Sequence, residues 1–260
     1  MSSPWLRTSA GTGRAPLRLL CFAHAGGGAA FFHPWRQVLR PDIDVCPVVL
    51  PGREARLREQ PHTRLEELIP ELTAALEPFL DRPYALFGHS MGAMLAYETA
   101  RALEAGAARP PSCLIASGRR APQLPARRPP LHALPEDAFL DAVGRLGGMP
   151  AEVVDHPEVL RLFLPAMRAD FELNETYTHQ AGALLRCPVS ALTGDGDPEV
   201  DLEEMAAWRH VTAGAFSLRV FRGDHFYHRG RPADVLAAIR ADLTRTADPA
   251  IRSIVSSSSP

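Results

Sequence analysis

Six short apolar runs separated by helix-patterned stretches constrain the fold of this chain more than any other feature. Val, Leu, Ile and Phe concentrate at Leu17–Ala23, Val45–Leu50, Tyr84–Gly88, Cys113–Ser117, Val189–Thr193 and Phe216–Phe221. Runs of this length without polar alternation fit strands covered on both faces. Between them, "TRLEELIPELTAALEPFL" sets Leu65, Leu68, Ile69, Leu72, Leu76 and Leu80 along one helical stripe, and "RPADVLAAIRADL" repeats the pattern near the C-terminus. Strand and helix in alternation predict an α/β architecture, a mostly parallel central sheet flanked by helices. At 260 residues the chain suits one large domain, expected over residues 16–245. The polar or low-complexity ends, 1–15 and 246–260, are expected to be disordered.

One segment breaks the alternation. From Arg119 to Arg186 a Pro/Arg-rich loop leads into two helical stretches, "PEDAFLDAVGRL" and "HPEVLRLFLPAMRADFEL". The second is apolar nearly all round (Val159, Leu160, Leu162, Phe163, Leu164, Met167, Phe171). That is more than docking on a sheet requires, so the insertion reads either as a well-buried helix pair or as a lid whose surplus face lines an apolar pocket.

The chemistry is carried by "YALFGHSMGAML". Gly-x-Ser-x-Gly arises by chance in roughly one chain in ten of this length, but here it joins a buried-strand pattern to a helix pattern. In that context a sharp turn exposes Ser90, glycines at both flanks let strand and helix approach, and the Met91 amide at the helix start favours a developing negative charge. A serine hydroxyl needs a base and an orienting carboxylate, in the chain order Ser, Asp or Glu, His. His225 follows the sixth apolar run, with Gly223 before it, and His228 is the reserve. For the carboxylate, Asp197 is preferred over Asp195 because its loop is long enough to reach the histidine. Asp224 adjoins His225 in sequence and so points away from it. The second oxyanion donor is expected from the "FAHAGGG" loop after the first run, most simply the Ala25 amide. Its three glycines lack both Gly-x-Gly-x-x-Gly spacing and a Walker lysine, which argues against a nucleotide cradle.

Composition narrows the alternatives. A formal net charge of -2 gives no basic field for nucleic acid. Cys21, Cys46, Cys113 and Cys187 have neither zinc spacing nor disulfide density and read as buried thiols of a cytoplasmic protein. "LRLLCFAHAGGG" fits neither a signal peptide nor a membrane span. His24 and His33 lack partners at metal-ligand spacing, and His89 reads as a packing or loop-bonding residue.

Taken together, "FAHAGGG", "LPGREAR", "GHSMG", "SGRRAP", "TGDGDP" and "GDHFYH" make the chain resemble the α/β-hydrolase superfamily, and within it the stand-alone type II thioesterases of polyketide and nonribosomal peptide synthases, over about residues 17–245. The resemblance implies the α/β-hydrolase fold with a helical lid at about 119–186. It also implies a Ser90-Asp197-His225 triad with Ala25 and Met91 as oxyanion donors. The activity it implies is removal of stalled or aberrant acyl groups from the phosphopantetheine arm of a carrier protein. No cofactor or metal is expected, and the enzyme is expected to be a monomer without membrane or nucleic-acid partners. A chain-releasing thioesterase and a small-molecule esterase or lipase are the competing readings. Because carrier proteins are usually acidic, Arg53, Arg56, Arg119, Arg120, Arg127 and Arg128 are candidates for docking contacts, although solvated loop charge is the commoner role for such residues.

Overall fold

Alternate residues of each buried strand face opposite layers of helices, and that division builds the fold. The computed structural model describes residues 3–8, 15–106, 109–148, 157–230 and 232–246. Six strands, β1 (Leu17–Phe22), β2 (Ile43–Pro47), β3 (Tyr84–His89), β4 (Leu114–Ser117), β5 (Val189–Gly194) and β6 (Phe216–Phe221), form one sheet in the order β2-β1-β3-β4-β5-β6, and every pair is parallel. In β1, Leu20 and Phe22 pack towards α2 (Leu65–Leu76) and α3 (Met91–Ala105). Leu19 and Cys21 pack on the other face towards the helix His33–Leu39, α1, and a C-terminal helix, Pro232–Thr246. Burial on both faces is why these strands read as continuous apolar runs rather than alternating ones.

Two expectations are corrected. The second strand is Ile43–Pro47 rather than Val45–Leu50. Its register pairs Leu17 with Ile43, and beyond Pro47 the chain keeps one bond to β1 while turning to pair with the N-terminal segment at Leu6. The Val48 amide donates to Cys21 O and the Val49 amide to Trp5 O. The second correction follows from the first: within the supposedly disordered 1–15, Trp5 and Leu6 are buried, and the Arg56 guanidinium lies 3.8 Å from the Trp5 ring centre. A tryptophan so covered offsets the cost of ordering the segment around it. Residues 247–260 of the expected disordered tail lie outside the described residues.

Among the described residues between β4 and β5 stand two helices, α4 (Glu136–Arg145) and α5 (Pro157–Glu175). Phe139 and Val143 of α4 meet Leu164, Met167 and Phe171 of α5 in a core separate from the two sheet layers. Leu164, Met167 and Phe171 are thus covered by α4, whereas Leu160 and Phe163 are half-buried and Leu162 remains 53% exposed. Two short helices, α6 (Leu202–Ala206) and α7 (Tyr227–Gly230), follow β5 and β6 and precede α8 (Pro232–Thr246). Among the described residues no helix is long and apolar enough to cross a membrane.

Candidate active site

Every candidate group lies at the carboxyl end of a strand, where open parallel sheets place their sites. Ser90 follows β3 directly, with φ 56 and ψ -121, a left-handed conformation that a residue with a side chain seldom adopts. The turn is held there by packing. A Cβ on Gly88 would lie 2.0 Å from Gly92 O, and one on Gly92 would lie 2.2 Å from Phe22 O, so neither position admits a side chain. The Ser90 amide donates to Ser117 O at 2.8 Å, tying the elbow to β4. Met91 is the first residue of α3, where no preceding helical carbonyl can accept its amide proton.

His225 follows β6 through Gly223, whose φ of 137 suits glycine. Its Nδ1 lies 2.9 Å from Asp197 Oδ2 and 3.0 Å from Oδ1. Because an ionised carboxylate only accepts, Nδ1 carries the proton and Nε2 is left as the acceptor. The Asp197 side chain is fully buried and also accepts the Glu199 amide at 2.8 Å. The alternatives are occupied elsewhere. Asp195 accepts the Gly223 amide, Asp224 the Phe226 amide, and His228 is buried against His89 with ring centres 4.5 Å apart. His225 reaches the elbow through His89, the neighbour of Ser90, at a ring separation of 4.8 Å. Among the described residues the Ser90 hydroxyl forms no hydrogen bond to His225, a bond that often tightens only when substrate binds.

Ala25 lies on the turn after β1. Phe22 pairs with Gly88 across the sheet, so this loop runs beside the elbow. Met91 follows Ser90 directly, and the Ala25 loop leaves the strand next to β3. The loop glycines are not an open phosphate cradle: a Cβ on Gly28 would meet Glu54 Oε1 at 2.4 Å, and a carboxylate there would repel a pyrophosphate.

A cluster of buried histidines surrounds these groups, a feature the sequence reading did not anticipate. Burial, reinforced by Arg229, lowers His24 to about 3, and burial with His24 lowers His228 to about 3. His89, fully buried, is held well below the usual histidine range by burial and by His228. Its Nδ1 shares a hydrogen bond with Ser117 Oγ at 2.9 Å, and Ser117 Oγ shares another with the Tyr227 hydroxyl at 2.6 Å. As neutral rings these three do not repel a proton taken up by His225. A cavity of about 390 Å³ lined in part by Leu146, Pro198 and Phe226 borders His225. A larger one, about 580 Å³, lies along the far end of α3 at Arg101–Ala105, away from Ser90, so volume alone does not locate the chemistry. Among the described residues no group of three or more side chains is arranged to hold a metal ion.

Three of the arginines considered for docking are internal. Arg53 pairs with Asp170, Arg56 with Glu59 and the Trp5 ring, and Arg119 with Asn174. Burial and Arg120 pull the Arg119 guanidinium down to about 9. Arg127 and Arg128 are exposed, in ion pairs with Asp201 and Glu199.

A family model described as a thioesterase domain matches residues 17–243. Thioesterase PikA5 of Streptomyces venezuelae is 43% identical, over 87% of this chain and 80% of its own. A Brevibacillus parabrevis protein named linear gramicidin dehydrogenase LgrE is 39% identical over 93% of each chain. Among solved structures, the type II thioesterase BorB from the borrelidin biosynthetic cluster aligns with a TM-score of 0.83 at 36% identity, covering 94% of this chain and 97% of that one.

Proposed function

From the premise that the chain belongs to the thioesterase domain family, we propose that it hydrolyses acyl thioesters from the phosphopantetheine arm of a carrier protein in polyketide or nonribosomal peptide synthesis. The observation that carries the reading is the His225–Asp197 pair lying against the Ser90 elbow. Ser90 Oγ attacks the thioester carbonyl carbon while its proton passes to His225 Nε2, and buried Asp197 stabilises the imidazolium that results. The carbonyl oxygen takes up the negative charge and sits between the Ala25 and Met91 amides. As the tetrahedral adduct collapses, the carbon–sulfur bond breaks and the pantetheine sulfur leaves with the proton from His225. A water molecule then repeats the cycle on the acyl-Ser90 ester, releasing the carboxylic acid and free serine. A thiol with a pKa of about 8.5 leaves readily, so deacylation of the oxygen ester is the demanding half-reaction.

The names of BorB and LgrE tie those relatives to borrelidin and linear gramicidin, and this supports a synthase carrier as the partner here. The dehydrogenase in the second name has no support in the loop after β1, where Glu54 fills the space that a dinucleotide phosphate would need. Four cysteines, all buried and unpaired, suit a reducing cytoplasm, where the enzyme acts as a monomer without a cofactor.

The test is hydrolysis of one propionyl group offered on a purified carrier protein, as a small thioester and as a simple oxygen ester, with Ser90→Ala as control. Preference for the carrier-bound thioester, lost in the variant, is expected. Equal or better turnover of the oxygen ester would indicate a small-molecule esterase, and activity surviving in Ser90→Ala would overturn the serine mechanism.

A further inference from the structure

The loop that carries Ala25 is held by a buried ion pair reaching it from two distant parts of the chain. Asp170 of α5 accepts the Gly26 amide at 2.7 Å through Oδ2. The same carboxylate takes two hydrogen bonds from Arg53, Nη2 to Oδ1 at 2.7 Å and Nη1 to Oδ2 at 2.8 Å. Arg53 Nη1 also donates to Gly27 O at 3.0 Å. Successive peptides of the loop are thus gripped by opposite charges that also grip each other. The Gly27 amide in turn donates to His24 O at 2.8 Å. That carbonyl belongs to the His24–Ala25 peptide, and in a planar trans peptide the carbonyl and the N–H point oppositely, so fixing one aims the other.

Met167, one turn before Asp170 on α5, completes the seat. Gly26 has φ +76, and a Cβ there would come within 3.1 Å of Met167 Cε. Both charged side chains are almost fully buried, at 7% and 3% exposure. Burial alone opposes the Arg53 charge, and the Asp170 carboxylate more than offsets it. A buried ion pair of this kind stabilises a fold little better than apolar residues of the same shape. What it provides that apolar residues cannot is a defined direction for the peptides it binds.

We propose that Asp170 and Arg53 are positioning residues that aim the Ala25 amide at the oxyanion, so that the oxyanion hole is complete only while α5 is seated on the loop. The inference rests on the reading of Ala25 as an oxyanion donor. Neither residue touches the reacting atoms, and both act through the 24–27 backbone.

Asp170→Asn keeps the shape but cannot accept from three donors. Removing a single oxyanion donor outright lowers kcat by roughly 100- to 1,000-fold. A donor that is only misdirected should cost about 10- to 100-fold on carrier-bound propionyl, with KM changing less than about threefold. A trifluoromethyl ketone analogue, whose serine adduct places an oxyanion in the hole, should bind more weakly by the same factor as kcat/KM. A non-hydrolysable acyl-pantetheine amide should bind as before. Arg53→Lys keeps the charge but loses the two-pronged grip and should give a smaller fall in the same direction. If Asp170→Asn does not fold, as judged by its circular dichroism and melting midpoint, the same readings on Arg53→Lys decide. Unchanged kcat in a folded variant overturns the proposal, as does equal weakening of the ketone and the amide. The failures are separable: an active Ser90→Ala removes the serine mechanism, whereas an unaffected Asp170→Asn beside an inactive Ser90→Ala removes the positioning role alone.

Discussion

Two buried carboxylates stand on opposite sides of Ser90, and their difference is instructive. Asp197 comes from the loop after β5, three residues beyond a glycine-marked strand end, and holds a side chain, the ring of His225. Asp170 comes from the inserted helix α5 and holds main chain, the Gly26 amide, together with Arg53. On the proposed mechanism, one sets the proton acceptor and the other the loop where negative charge collects. A sheet-borne group sits on a rigid frame, whereas a helix-borne group transmits whatever moves that helix.

Substitution at these two positions gives the largest contrast. Asp197→Asn should lower kcat by about 1,000- to 10,000-fold while leaving KM and the melting midpoint near wild type, because the amide favours the wrong histidine tautomer. Against the smaller loss expected for Asp170→Asn, steady-state kinetics on one carrier-bound substrate would show the two sides to be unequal. A loss at Asp197 no greater than that at Asp170 would erase the distinction.

Acid should weaken both sides together. His24 belongs to the Ala25 loop and His228 lies three residues after His225, and burial lowers each to about 3 from the ordinary histidine value of about 6.5. Between those values the unfolded chain binds protons that the folded chain refuses, so stability is full above about pH 6.5 and falls as pH drops towards 3. Each such histidine contributes up to about 1.4 kcal/mol per pH unit in that window. Urea unfolding at pH 7 and pH 5 should therefore show His228→Gln losing about 2 kcal/mol less than wild type. An identical loss in both proteins would mean that His228 is protonated in the fold.

The smallest effect belongs to the periphery. Arg128 and Glu199 form an ion pair in which the arginine side chain is 53% exposed. Arg128→Ala should change stability by less than about 0.5 kcal/mol and leave turnover of a small thioester unaltered. A rise in KM confined to carrier-bound substrate would make this arginine a docking contact.

Asp197 and Asp170 also differ in how far the sequence reveals them. Strand patterning, the glycines around Ser90, and the loops after β5 and β6 could all be read locally, because a buried parallel strand and a sharp turn leave compositional marks. Asp170 and Arg53 leave none. They stand 117 residues apart, on a helix that reads as merely apolar and in a loop that reads as merely charged. β2 ends before its apolar run does for a related reason: Val48 and Leu50 pack in one cluster with Trp5 and Leu6 beyond the strand. Local pattern identifies residues that obey a period, and it is silent on residues whose partners are chosen by tertiary contact.

The strand order β2-β1-β3-β4-β5-β6 also has a consequence in time. Synthesis delivers the Ala25 loop first and the serine elbow next, and the helix bearing Asp170 before the loop bearing Asp197. His225 arrives last, behind the edge strand β6, which can dock only on a completed β5. A nascent chain thus carries Ser90 long before it carries His225. On the proposed mechanism, full hydrolytic activity is the final property the polypeptide acquires, and a chain ending before β6 is expected to lack the turnover that His225 supports.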